Sequence, residues 1–413
     1  MFLNEYNFYI SDNHLILFDL NLFRIFSITE KIKRYFVEQK SSEDMSEEEK
    51  EVLNQILSVE QNIDSEPQKI NAVKIHVSNA CNLRCKYCYA EGGNYGKCSK
   101  LMDLEMAEKI VRYINTSEEL KHINYITFFG GEPLLNPEII EYICENTCQR
   151  EVVYLLQTNG TVLDDNILRI LKKYHIILTI SLDGPEEIND FNRIDLKGNG
   201  TYKKIIENLQ KMKEYEILPQ AVEATLSKEF IDHYSKVQIA DFIYDVTGIK
   251  EIKVDYDCNL DRSDFSGIEE IKAFFDRCME KKYILDNGAC NVISRFLSQT
   301  KSEYICSAGN GIMSIDVEGN IFPCQLFMTN NLFQMGNIEE PHLKSFLPFT
   351  KKEYRISCKK CSARSCCNVC CAAGIKEKDC EEQRRIQKMT LELFAQMIAE
   401  GNFEEFYNNF SVL

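Results

Sequence analysis

Three cysteines stand close together in Cys81-Asn-Leu-Arg-Cys85-Lys-Tyr-Cys88. A [4Fe–4S] cluster needs a ligand on each of its four irons, normally four thiolates. A C-x3-C-x2-C loop satisfies three of them and leaves one iron vacant. A vacant coordination position marks a reactive metal site rather than a structural one. The same three thiols could instead hold zinc if His76 or Cys98 completed the set, because spacing alone does not identify the metal.

Three more stretches downstream carry polar groups beside glycine. The first is Phe128-Phe129-Gly130-Gly131-Glu132-Pro133. Its glycines let a ligand approach the backbone, and Glu132 offers an acceptor for a cationic amine. The second is Gln157-Thr158-Asn159-Gly160. The third is Ser181-Leu182-Asp183-Gly184-Pro185 with Arg193 after it, and that guanidinium can clamp a carboxylate in a bidentate fork. Singly, each is ordinary turn chemistry. In succession beside a three-cysteine loop, they point to a ligand site.

The elements around these loops alternate. Val73, Ile75 and Val77 have strand period, and the first cysteines follow them. Helix is expected over Leu104–Ile114, strand over Tyr125–Phe129, and helix after Asn136. The pattern repeats with strand Val152–Leu156 and helix Asp164–Lys173, then strand Ile176–Leu182 and helix Tyr202–Tyr215. It closes with strand Gln220–Thr225, helix around Ile231–Tyr244, and strand Ile252–Tyr256. Strand–helix alternation predicts an α/β fold with a parallel sheet, either doubly wound or a complete or partial barrel. In each case the chemistry belongs at the carboxyl ends of the strands, where all four loops fall.

Residues 1–64 read as a separate α+β unit. Asn7–Ile10 and His14–Asp19 form a hairpin around Asp12-Asn13, helical spacing follows at Ile28–Val37 and Glu49–Leu57, and Ser46 with Glu49 makes a capping box. Ser65-Glu66-Pro67 is the expected linker. The remaining segments are a core over 70–260, a helical bridge over 261–300, a cysteine-rich domain over 301–380 and a terminal helical segment over 381–413, its helix stopped by Gly401.

Of the 413 residues, 48 are Lys or Arg and 64 Asp or Glu, a net charge of −16 that disfavours nucleic acid and anionic membranes as partners. No apolar run reaches transmembrane length and the start has no signal-peptide pattern, so a soluble, cytoplasmic protein is expected. Eighteen cysteines in such a chain point to metal rather than to a disulfide framework.

The cysteine loop, with Tyr87 in its aromatic position, and the Gly-Gly-Glu loop resemble the radical S-adenosylmethionine (SAM) superfamily. The resemblance covers about residues 70–256 and implies a partial (β/α)6 barrel. It also implies that Cys81, Cys85 and Cys88 hold a cluster whose open iron chelates SAM, which is cleaved to a 5′-deoxyadenosyl radical. Gly130, Gly131 and Glu132 would hold the SAM amine. Ser181 and Arg193, twelve residues apart, match a pair contacting the SAM carboxylate and ribose in the SPASM subgroup, and Asn159 is a weaker match.

Seven later cysteines, Cys306, Cys324, Cys358, Cys361, Cys367, Cys371 and Cys380, are similar in spacing to a SPASM domain with two auxiliary [4Fe–4S] clusters, making three clusters in all. The resemblance assigns Cys358, Cys361, Cys367 and Cys380 to the distal cluster, and Cys306, Cys324 and Cys371 to the proximal one. The proximal set is one ligand short. Sulfatase-maturing members have a further cysteine where this chain has Thr300, so either Cys290 completes the set or an iron is open to a substrate thiolate. Cys144, Cys148 and Cys278 read as small core residues; Cys98, Cys258, Cys366 and Cys370 read as spare loop thiols, with the register at Cys366/Cys367 and Cys370/Cys371 ambiguous.

The SPASM resemblance implies a peptide substrate. Three readings follow: a maturase forming a thioether or other crosslink in a ribosomal precursor peptide, a formylglycine-generating sulfatase-type maturase, or a non-catalytic Fe–S electron-transfer or scaffold protein. Sulfatase maturases carry Asp after the second SPASM cysteine, where a carboxylate can take a substrate proton; here Gln325 stands there. The N-terminal unit resembles a leader-recognition element that binds peptide by strand addition. The segments around Cys324-Gln-Leu-Phe and Phe333-Gln-Met-Gly-Asn-Ile resemble the thioether-forming group. The expected partners are a precursor peptide with an N-terminal leader and a reductant such as flavodoxin or ferredoxin.

Overall fold

The computed structural model describes residues 6–11, 14–20, 22–58, 69–257, 267–300, 303–340, 343–359, 361–372, 374–375 and 377–412. The expected turn at Asp12-Asn13, the linker at Ser65-Glu66-Pro67 and Cys258 lie outside them.

The chain begins with β1 (Tyr6–Ser11), β2 (His14–Asp19) and β3 (Arg24–Ile28), followed by α1 (Glu30–Glu38) and α2 (Glu47–Leu57). The three strands form an antiparallel sheet in the order β1-β2-β3. The third was missed because Ile28 was assigned to the following helix. Thr29 accepts a hydrogen bond from the Ile32 amide, so the helix starts at Glu30 and leaves Ile28 in the strand. Buried Asp19 pairs with Arg24 at 2.9 Å and accepts from the Leu22 amide, which fixes the connection between β2 and β3. The Ser46/Glu49 capping box is present.

The core comprises β4 (Ala72–Ser78), α3 (Leu104–Thr116), β5 (Tyr125–Gly130), α4 (Pro137–Thr147), β6 (Val153–Thr158), α5 (Asp165–Lys173), β7 (Ile177–Ser181), α6 (Glu186–Asn192), α7 (Tyr202–Glu214), β8 (Ala221–Leu226), α8 (Lys236–Thr247) and β9 (Glu251–Tyr256). Then come α9 (Ile268–Met279), β10 (Ile284–Leu285), α10 (Gly288–Ser298), β11 (Ile312–Ile315), β12 (Asn320–Phe322), β13 (Gly336–Asn337), α11 (Leu347–Thr350), α12 (Glu377–Ala399) and α13 (Phe403–Val412). Helix α8 starts later than its apolar spacing suggested, because Ser235 and Gln238 form a capping box there. Helix α12 starts before residue 381, so Cys380 lies in its first turn. Gly401 stops it as expected, and α13 was not foreseen.

These elements form two compact units. One is Met1–Glu66 with Ser263–Cys306 and Lys351–Leu413; the other is Pro67–Arg262 with Ser307–Thr350. The division differs from the expected segments, since the region expected as one cysteine-rich domain contributes to both. In the first unit Phe18, Phe274, Phe296, Phe394 and Phe406 share one core, with Phe18 and Phe296 edge to face at 5.3 Å. Aromatic burial on this scale is what anchors α9, α10, α12 and α13 to the N-terminal sheet. Among the described residues, no helix is long and apolar enough to cross a membrane.

In the second unit β4 to β9 are parallel and neighbour one another in chain order; β11 adds in parallel beside β4, and β12 and β13 continue antiparallel. A doubly wound sheet reverses its strand order at a switch point. This one does not, which is the singly wound order of a barrel. Burial agrees: Val73, Ile75, Val77, Ile126, Phe128, Leu178, Ile180, Val222, Ile252 and Val254 are buried on one face, and the alternate positions are polar or partly exposed on most strands. The charge of Glu223 on β8 acts on Lys74 on β4. Four strand spacings in a flat sheet would be about 19 Å, so the interaction requires a curled sheet.

Candidate functional site

Strand β4 ends in the cysteine loop, and the register of β4 on β5 shifts between His76 and Ser78. Gly130, opposite that irregularity, has φ 144°, and a Cβ there would lie 2.0 Å from the Ser78 carbonyl oxygen. The next residue is as tightly held. A Cβ on Gly131 would lie 2.4 Å from the Ala80 carbonyl oxygen, and one on Gly93 would lie 2.4 Å from the Gly131 Cα. The amides of Gly131 and Glu132 donate to the carbonyls of Ser78 and Ala80. The cysteine loop and the Gly-Gly-Glu loop are therefore in backbone contact, and glycine is required for that approach.

The cysteine sulfurs lie among donors. The Leu83 amide donates to Cys81 Sγ at 3.4 Å, the Gly92 amide to Cys88 Sγ at 3.3 Å, and Asn159 Nδ2 lies 3.8 Å from Cys81 Sγ. Burial pushes the Cys81 thiol up to about 12 and also raises Cys85. Thiols this hard to ionise become thiolate ligands only when a metal compensates the charge. Among the described residues, no three His, Cys, Asp or Glu side chains are grouped to hold a single metal ion. A cubane spreads its thiolates over separate irons, so the three cysteines need no common focus. His76 lies between Tyr95 and Phe129, and Cys98 is exposed. The residues fit a cluster, with backbone amides to stabilise its sulfurs.

Glu132 is fully buried. Its carboxylate accepts from Thr158 Oγ1 at 2.7 Å, the Asn159 amide at 2.8 Å and the Leu134 amide at 3.0 Å. A carboxylate has about four acceptor sites, so one remains for a ligand amine. Burial raises its pKa, opposed by those hydrogen bonds. Asn159 links the two loops, donating from Nδ2 to Asn82 Oδ1 at 2.9 Å. Three expected residues (Cys81, Glu132 and Asn159) thus meet in one network.

Arg193 is placed differently from expectation. Its Nη1 donates to the Tyr87 hydroxyl at 2.7 Å, and it lies 3.9 Å from buried Asp183. Tyr87 in turn donates to Asp183 Oδ2 at 2.8 Å. Burial holds the phenol well above its ordinary pKa, so it remains a donor. The guanidinium is therefore engaged in a buried triad with the aromatic residue of the cysteine loop, and its Nε is the atom left without a protein partner. The Asn192–Asp195 segment also pairs with that loop through Arg84 N to Ile194 O and Lys86 N to Asn192 O. Asp183 was missed as a site residue. Its place in a polar loop after a strand was visible, but its partners Tyr87 and the Thr225 amide are distant in sequence. Ser181 ends β7, in register with Glu223 of β8.

The later cysteines fall in both units. In the first, Cys306 Sγ and Cys371 Sγ are 3.3 Å apart, while the charges of Cys367, Cys358 and Cys361 all act on Cys380. Arg384 is drawn to Glu377 and Cys361. Cys366 is not a spare loop thiol: it packs into the helical core, and burial pushes it up to about 12. Its neighbour Cys367 is partly exposed, and Cys370 is exposed. Cys144 and Cys278 are core residues as expected, but Cys148 is exposed. Cys290 packs at the margin of the helical core, its Sγ 4.0 Å from Ser294 Oγ. Cys324 belongs to the second unit, followed by a short helical turn over Gln325–Phe327.

Comparison with known proteins agrees with this geometry. Over 355 residues the chain is 23% identical to a cysteine-type anaerobic sulfatase-maturating enzyme of Clostridium perfringens, covering 78% of this chain and 92% of that protein. It is 27% identical over 374 residues to the radical SAM cyclopropyl synthase TigE of Paramaledivibacter caminithermalis, covering 82% and 74%. The solved structure of native anSMEcpe with bound AdoMet and Cp18Cys peptide superposes with a TM-score of 0.62 at 19% identity, covering 80% and 98%, and so shares the fold. Residues 75–227, which hold the cysteine loop, the Gly-Gly-Glu loop, Tyr87, Asp183 and Arg193, match the radical SAM superfamily. That stretch is a radical SAM domain, the kind of domain that uses a [4Fe–4S] cluster and SAM.

Proposed function

We propose that this protein is a peptide maturase that installs a crosslink, a cysteine thioether, in a ribosomally made precursor. When bound at Cys81, Cys85 and Cys88, the cluster supplies the electron that cleaves SAM to a 5′-deoxyadenosyl radical. Glu132 receives the SAM amine through its remaining acceptor site. Gly130 and Gly131 give it backbone access, Ser181 and the Nε edge of Arg193 are assigned to its carboxylate and ribose, Asn159 ties the cysteine loop to Glu132, and Tyr87 ties it to Asp183. Two auxiliary clusters are assigned to Cys358, Cys361, Cys367 and Cys380 and to Cys306, Cys324 and Cys371. The N-terminal sheet receives the leader along a strand edge, and a flavodoxin or ferredoxin supplies electrons.

The observation that carries the choice of reaction is Gln325 beside Cys324. An amide cannot take the proton that a carboxylate takes at that place. A formylglycine-generating activity is the second reading, favoured by the similarity to sulfatase-maturating enzymes along most of the chain. Anaerobically reconstituted protein with dithionite, SAM and a Cys-containing precursor peptide separates them by mass spectrometry. A loss of two hydrogen atoms per crosslink is expected; formylglycine in a sulfatase peptide with no crosslink would reject the first reading. For the fourth proximal ligand, Cys290→Ala is expected to change iron content and the proximal-cluster spectrum. If neither changes, an open iron is left for a substrate thiolate.

A further inference from the structure

The sheet of the second unit has a polar face, carrying Ser181 of β7, whose other side chains the SAM-directed set does not use. Strand alternation puts Lys74 of β4, Gln157 of β6 and Glu223 of β8 on that face, while their strand neighbours Val73, Ile75, Leu156, Val222 and Ala224 are buried on the opposite one. Gln157 is paired with Thr179 of β7, and Glu223 with Ser181 of β7 and Lys253 of β9. Gln157 Nε2 donates to Glu223 Oε2, so the two side chains meet above the intervening strand β7. The Nζ of Lys74 lies over the Phe129 ring at 4.3 Å.

Two features separate Glu223 from the other carboxylates of the site. Glu132 is sealed and nearly saturated, and Asp183 is sealed in its triad. Glu223 is partly exposed, with Gln157 on one oxygen; a carboxylate has about four acceptor sites. The second feature is its surroundings. The charges of Glu223 and of Cys324 act on the same two side chains, Lys74 and Tyr89. Tyr89 directly follows Cys88. The segment from Cys88 to Tyr95 packs against Phe322 and Met328, on either side of Cys324, so Glu223 and Cys324 both lie toward that segment, and it is beside Cys324 that this chain lacks a carboxylate.

We propose that Glu223 seats the reacting side chain of the peptide, accepting a hydrogen bond from its thiol or hydroxyl, with Gln157 fixing the carboxylate and Lys74 on the same face of the sheet. This rests on the peptide-maturase reading and names the residue that binds the substrate. The position fits a small polar X–H donor: the acceptor is held by a neutral amide, is partly exposed and has acceptor sites left over.

The test uses reconstituted full-length enzyme, a synthetic Cys-containing peptide that the wild type modifies, and the same peptide with Ser at the reacting position. Glu223→Gln is expected to lower kcat/KM for the peptide about a hundredfold. It should also raise the 5′-deoxyadenosine released per modified peptide about tenfold. Glu223→Asp should recover part of the loss, and Gln157→Leu should raise KM more than it lowers kcat. Peptide kinetics and coupling within about twofold of wild type in Glu223→Gln would overturn the assignment. So would a parallel fall of 5′-deoxyadenosine and product, which marks a defect at SAM or the cluster. Failure of the wild type to modify any Cys or Ser peptide would overturn the peptide reading itself, and the assignment with it.

Discussion

At the scale of single residues, the site is arranged around buried charge. Glu132 tolerates full burial because three donors converge on it. Asp183 tolerates it because Tyr87 and Arg193 do the same from the cysteine loop and the segment after α6. Removing one partner of such a group leaves the others uncompensated, which costs about 3–5 kcal/mol. Asp183→Ala is therefore expected to destabilise the protein by about that much, read as a fall in the urea midpoint, and to weaken cluster retention through Tyr87. Tyr87→Phe removes only the bridging hydroxyl and should cost about 1–3 kcal/mol for the polar groups it leaves. Equal, small effects from both substitutions would show that the triad does not hold the loop.

At the scale of elements, the helices on the outer face are tied by surface charge as well as by the apolar stripe. Arg169 and Lys173 of α5 both reach Glu141 of α4, at 2.5 Å and 3.2 Å. The Arg169 hydrogen bond, ahead of Lys173, lowers the Glu141 carboxyl to about 2. A carboxyl depressed on folding stabilises the folded state above its unfolded value, about 4.3. That contribution is lost as pH falls from there through about 2. Because the pair is exposed, the effect is under about 1 kcal/mol. Thermal melts should show wild type losing its advantage over Glu141→Gln across that window; an advantage unchanged at pH 3 would rule out the pairing. The expected helix starts held where caps were legible, as at Ser46/Glu49, and slipped at α8, where apolar spacing was followed instead of the Ser235/Gln238 box.

At the scale of the whole molecule, the proposed three clusters on ten cysteines correspond to about twelve irons per chain. The variant Cys81→Ala/Cys85→Ala/Cys88→Ala should retain about eight irons and release no 5′-deoxyadenosine from SAM. Iron near zero would mean that the later cysteines hold no clusters of their own. The sequence by itself determined the order of strands and helices, the loops that carry chemistry and the cysteine spacing, because these depend on local periodicity, caps and glycines at close approaches. Cys81, Gly130, Glu132 and Asn159 could be named from such signals. The tertiary structure decided what depends on residues far apart in the chain. It engaged Arg193 with Tyr87 and Asp183, buried Cys366 while leaving Cys367 partly exposed, and divided the segment after residue 300 between two units. It also brought Gln157 and Glu223 together across β7, since curvature is set by how strands and helices pack and leaves no mark on any single stretch of sequence.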